Sequence, residues 1–181
     1  VIISDRLAAL DTRSNGDHEL DDDYQEGYGR YQQDVLIPAF LSAYTGKDAN
    51  DFPLTVFDVL PRPNWKFTYN GLNKLEAFKN IFSGFNISHG YTSTLSINSF
   101  ATDLDFQNFL YNDVTRNFFS TLEIPDLVIS ERFSPLIGVD IRMKNDMTAR
   151  FDWNKTRNLA MSFTDYQLSE TNSEEFTIGM G

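Results

Sequence analysis

Hydrophobic and polar residues alternate with period two through much of the second half of the chain. Phe85, Ile87, His89, Tyr91, Ser93, Leu95 and Ile97 share one face, and Asn86, Ser88, Gly90, Thr92, Thr94, Ser96 and Asn98 the other. That run is more than twice the ~5–6 residues of an ordinary globular strand. Three further strands are predicted. The first runs from Leu136 or Ile137 through Val139, Ile141 and Met143, with Asp140, Arg142 and Lys144 between, and Asn145-Asp146 makes a tight turn. The second carries Met147, Ala149, Phe151 and Trp153, alternating with Thr148, Arg150, Asp152 and Asn154, and Lys155 to Asn158 reads as the next turn. The third holds Leu159, Met161 and Phe163. A polar loop through Ser169–Glu174 then leads into Phe176, Ile178 and Met180. The pattern is an antiparallel meander with one apolar and one charged face.

The first half mixes elements. Tyr28, Tyr31, Val35, Leu36, Phe40 and Leu41 recur at helical spacing over 25–44, with Pro38 expected to kink or split the helix and Thr45-Gly46 to stop it. The prolines from Pro53 to Pro63 predict a rigid loop or edge strand. Trp65-Lys-Phe67-Thr-Tyr69 reads as a strand and Asn70-Gly71 as a turn. Leu72, Leu75, Phe78, Ile81 and Phe82 give a short amphipathic helix closed by Gly84. The expected class is therefore mainly β with helical insertions. Residues 1–84 form a loop and helical insertion with a short strand, and 85–181 form consecutive strands with one long insertion near 101–124.

Composition narrows the function classes. The 181 residues carry a net charge of −11, which disfavours nucleic acid and charge-driven binding to anionic lipid. The chain has no cysteine and only His18 and His89, leaving little material for thiolate or histidine sites. The mean hydropathy of −0.36, with no run near ~20 apolar residues, excludes a helical span but not a membrane barrel, where only alternate residues meet lipid. The chain opens Val-Ile-Ile-Ser and stops within an alternating run, so it reads as an excised piece. The acidic stretch Asp17–Asp23 reads as a solvated loop. Asp11, Asn15 and Gly16 fall on calcium-loop positions, but Arg13 takes a ligand place and Asp22 stands where a bidentate Glu belongs.

No catalytic set emerges, and neither an enzyme nor a cofactor is expected. Glu131 with Asp140, and Glu174 with Glu175, are carboxylate pairs expected on so acidic a chain. His89 lies on the apolar phase of its strand, as a structural histidine would. Ser130 and Ser134 have no neighbouring histidine and no nucleophile elbow. Gly138, Gly179 and Gly181 read as bend points in strands. The apolar face must be buried, since each exposed large apolar side chain forgoes roughly 1.5–3 kcal/mol. Pattern alone leaves two solutions open. One is a soluble sandwich or barrel, which as a binding module would use Trp65, Tyr69 and Tyr91 on a glycan or partner protein. The other is an outer-membrane barrel with its apolar side in lipid.

Several long stretches bear on that choice. They are Gln33-Asp-Val-Leu-Ile-Pro-Ala-Phe-Leu-Ser-Ala-Tyr-Thr-Gly46, Pro63-Asn-Trp-Lys-Phe-Thr-Tyr-Asn-Gly-Leu72, Ser88-His-Gly-Tyr-Thr-Ser93 and Ile129-Ser-Glu-Arg-Phe-Ser-Pro-Leu-Ile-Gly-Val-Asp140. Met147-Thr-Ala-Arg-Phe151, Thr156-Arg-Asn-Leu-Ala-Met-Ser-Phe163 and Tyr166-Gln-Leu168 complete the set. From about Ile2 onward the chain resembles the C-terminal part of the SprA/Sov family, the very large outer-membrane translocon barrels of type IX secretion and gliding motility. The resemblance implies a fragment of a very large transmembrane β-barrel in the bacterial outer membrane that exports folded proteins to the cell surface. The implied partners are secreted cargo proteins, a small barrel shuttle protein, a periplasmic plug and the lipid bilayer, with no nucleic acid. Val139, Ile141, Met143, Ala149, Phe151 and Trp153 would then face lipid, and Asp140, Arg142, Lys144, Arg150 and Asp152 the lumen. The helical elements would pack inside the barrel or cap it.

Overall fold

The computed structural model describes residues 20–21, 24–25, 27–48, 51–52, 63–109 and 112–181. The calcium-loop positions Asp11–Gly16 and Asp22, His18 and most of the acidic run, and the crossing from Pro53 to Pro61 lie outside them. The chain is mainly β. Strands β1 (Leu20–Asp21) and β2 (Tyr24–Gln25) pair with each other, and helix α1 spans Gln33–Thr45. Strand β3 (Trp65–Tyr69) precedes the one-turn helix α2 (Glu76–Lys79). Four long strands follow: β4 (Phe82–Ile97), β7 (Asp126–Met143), β8 (Thr148–Ser162) and β9 (Gln167–Met180). The small ladder of β5 (Ala101–Thr102) and β6 (Leu122–Glu123) falls in the insertion between β4 and β7. β3, β4, β7, β8 and β9 form one sheet in that order. In its antiparallel β3–β4 pair, Trp65 stands opposite Tyr91 and Tyr69 opposite Ile87.

Two compact units contain these elements. The first is Val1–Leu60, Ile97–Leu127 and Met161–Leu168, and the second is Pro61–Ser96, Val128–Ala160 and Ser169–Gly181. The first has an ordinary apolar core, with Tyr28, Val35, Ile37, Phe40, Leu41, Phe118, Ile124, Leu127, Met161 and Phe163 all buried. In the second, Tyr91, Ile129 and Leu159 are the buried large apolar residues among those described. Trp65, Phe67, Tyr69, Ile137, Phe176, Ile178 and Met180 are exposed there instead, Phe67 by 65%, Ile178 by 70% and Met180 by 83%.

Several elements differ from the sequence reading. The helix begins at Gln33, not near Gln25, because the chain before it is held otherwise: Phe118 N–H donates to Gly27 O (2.8 Å), Tyr28 packs on the Phe118 ring, and Gln32 N–H closes a turn on Gly29 O (3.0 Å). Pro38 neither splits nor ends α1. It forfeits the N–H that would bond one turn back, and its ring is fully buried. Gly46 does stop the helix, at φ +73 with its N–H on Ser42 O. Gly84 lies within β4, which takes over at Phe82 directly from the short helical turns. β7 begins ten residues before Leu136, at Asp126. The Lys155–Asn158 turn and the Ser169–Glu174 loop do not exist: both stretches are interior to β8 and β9, and the real turn is 163–166. Their polar side chains bond one another across the strands, so they satisfy the sheet and do not interrupt it.

Candidate functional site

The candidate functional surface is the pair of faces that the second unit presents. The β7–β8 hairpin sets them. Met143 N–H donates to Met147 O (2.8 Å), with Asp146 at φ +66 in the turn. This register puts Asp140 beside Arg150, 3.7 Å apart, and Gly138 beside Asp152. The β8–β9 pair is fixed by reciprocal bonds between Thr148 and Gly181 (2.6 and 3.0 Å) and by the Lys155–Glu174 ion pair (2.9 Å).

On the polar face Arg150 binds both Asp140 and Asp152, with its Nε 2.5 Å from Asp152 Oδ2. Asp152 is buried, so its charge needs that partner. Gly138 is less a bend than a clearance: a Cβ there would collide with Ser88 Oγ and Pro135 and touch Asp152. Lys66, Thr68, Asn86, Ser88 and Asn154 surround the cluster and line with it a polar depression of about 550 Å³. Of the five predicted lumen residues, three therefore form one network. Arg142 stands exposed on a neighbouring depression of about 590 Å³, and Lys144 sits in the turn, where its backbone N–H reaches Ile81 O.

On the opposite face Val139, Ile141, Met143, Ala149, Phe151 and Trp153 are all half-buried by their neighbours in the sheet. Above them lies a set of aromatic contacts. Trp65 stacks on Tyr91 (4.4 Å), Tyr91 meets Phe133 (4.9 Å), and Trp153 stacks on Phe176 (5.5 Å). His89 belongs to this set: its Nδ1–H donates to Leu136 O at 2.7 Å, and its ring lies 6.0 Å from Phe133. Beyond the aromatics the same face turns charged. Tyr91 Oη donates to the buried Glu131 (2.6 Å), Arg157 bridges Glu131 (3.5 Å) and Glu170 (2.8 Å), and Ser130 donates to Asn158 (2.7 Å) just behind. On three adjacent strands an aromatic and a charged residue stand two apart on this face: Phe133 with Glu131, Trp153 with Lys155, and Phe176 with Glu174. The sequence reading missed this belt because its partners are far apart along the chain, forty residues for Tyr91 and Glu131.

Among the described residues no three His, Cys, Asp or Glu side chains are grouped to hold a metal ion. No helix among them is long and apolar enough to cross a membrane. Neither a protein-family model nor a curated protein matches the chain.

Proposed function

We propose that this chain is a stretch of wall, with its helical insertion, from an outer-membrane protein-conducting β-barrel, a translocon of the kind found in the SprA/Sov family. The observation that carries the reading is the banding of one sheet face: apolar from Met147 to Phe151, aromatic at Trp153 and its neighbours, then charged from Lys155. That order is the one a barrel wall follows from hydrocarbon through the interfacial girdle into water. The stretch from Met147 to Trp153 measures ~20 Å along the strand at ~3.3 Å per residue, or ~15 Å of height at the ~35–45° tilt of such walls, so it covers part of their ~25 Å apolar band. Strands of 14 to 18 residues exceed the ~9–11 that cross a bilayer at a tilt, so the wall stands clear of the membrane beyond the girdle.

In this role Val139, Ile141, Met143, Ala149, Phe151 and Trp153 contact lipid. Asp140, Arg142, Lys144, Arg150 and Asp152 border a wet conduit. There, ionic side chains held by one another keep the lumen hydrated without offering an apolar surface to a passing folded cargo. The neighbouring partners are cargo proteins, a small barrel shuttle protein, a periplasmic plug and the bilayer itself.

Single cysteines labelled with an environment-sensitive dye, in the intact protein in liposomes, test the assignment directly. Labels at Val139, Ile141 and Phe151 should be quenched by lipid-borne nitroxides, and labels at Asp140, Arg142 and Asp152 by iodide. Iodide quenching of both sets would sink the membrane reading. That outcome would favour a soluble module whose exposed Trp65, Phe67 and Tyr69 form an aromatic platform for a glycan or partner protein.

A further inference from the structure

The first unit carries a cavity of about 560 Å³ whose lining residues come from the start of α1, the β5–β6 insertion and the 163–166 turn. Two of its groups have unmet chemistry. Gln32 is 5% exposed, and its Nε2 donates to Phe118 O, Ser120 Oγ and Asp34, but its buried Oε1 has no partner. Asp103 is 8% exposed and, among the described residues, accepts only the Asp105 N–H (2.9 Å). Both flank the same stretch of backbone, Gln32 through its Nε2 on Phe118 O (3.3 Å) and Asp103 through its N–H on Thr121 O (3.3 Å). Among the described residues no Lys or Arg lines the cavity. Tyr31 and Tyr166 also line it; they are exposed and tilted against each other at 4.8 Å.

A nearly buried carboxylate without a cation is costly, and an unmet amide oxygen calls for an N–H or O–H donor. A guanidinium answers both, since it is planar, carries several donors, and stacks on aromatic rings. Arg30, outside the lining, already lies over Tyr31, 5.8 Å from the ring centroid. We infer that this cavity is a binding site for an arginine side chain presented by an extended segment of a partner polypeptide, with Asp103 and Gln32 Oε1 as acceptors and Tyr31 and Tyr166 as the stacking mouth. The site is independent of which face of the sheet meets lipid.

The test is fluorescence anisotropy of a dye-labelled Gly-Gly-Arg-Gly-Gly peptide on the intact protein, against the same peptide with citrulline, which keeps the shape and removes the charge. The arginine peptide should bind about tenfold more tightly, and Asp103→Asn should erase the difference. Tyr31→Leu, at an exposed position, should weaken the arginine peptide several-fold. Equal affinity for the two peptides overturns the inference. So does a preference that survives Asp103→Asn in a protein with unchanged near-ultraviolet circular dichroism, or an unaltered affinity in Tyr31→Leu.

Discussion

Gly27 and Glu131 each hold a place no other residue type fills equally well. Gly27 adopts φ +84, and a Cβ there would enter the Phe118 ring. Gly27→Ala combines left-handed strain with overpacking, and roughly 2–4 kcal/mol of stability should be lost, read as a lower midpoint in chemical denaturation. Glu131 is the buried acceptor for Tyr91 Oη and a partner of Arg157. Glu131→Leu strands a buried hydroxyl, which costs about 1–3 kcal/mol. Glu131→Gln keeps an acceptor and should cost clearly less. Thermal unfolding of the two variants side by side checks the order, and equal losses would show that the hydroxyl contact is not the source.

Among the elements, β8 shows most plainly what was and was not legible in the sequence. Its halves each read as alternating strands because Ala149–Trp153 and Leu159–Met161 keep period two. The join reads as a turn because Lys155-Thr-Arg157-Asn158 has the composition of one, and only the partners on β7 and β9 turn it into strand. The same holds for β9, whose Ser169–Glu174 stretch is polar by composition and paired by context. Turn chemistry proved more reliable where conformation is dictated locally, as at Asn145-Asp146 and Gly46. The cavity near α1 left no signal, since Gln32 and Asp103 come together only through the 118–121 backbone. The polar-face cluster was half legible: the charged phase of each strand is plain, but its pairing is not. The Lys155–Glu174 pair is half-exposed on both sides, so it contributes little by itself. Lys155→Met should change stability by less than about 1 kcal/mol, and a larger loss in denaturant unfolding would mean that the belt acts as a coupled network.

At the scale of the molecule, the second unit has broad apolar area and very little dry interior, whereas the first has a normal core. Phe67, Ile178 and Met180 stand uncovered, an exposed apolar set of the kind that meets lipid or a partner. If lipid covers them, extraction into a detergent of matched chain length should preserve the β circular-dichroism signal. Transfer to detergent-free buffer should abolish solubility. A monodisperse, folded protein in plain buffer would contradict that account.

The outer margin of β9 is also a seed. It is the last strand of its sheet, fourteen residues long and exposed throughout, or ~46 Å of backbone. Along that length on the order of seven N–H and seven C=O groups point away from β8 with no ladder to join among the described residues. Over its last five residues Phe176, Ile178 and Met180 alternate with no charge to discourage stacking, whereas Glu170, Glu174 and Glu175 guard the part before them. With that edge open, copies of this chain would zip to one another edge to edge. The fibrous precipitate so formed would reflect an unanswered template, not a failure to fold.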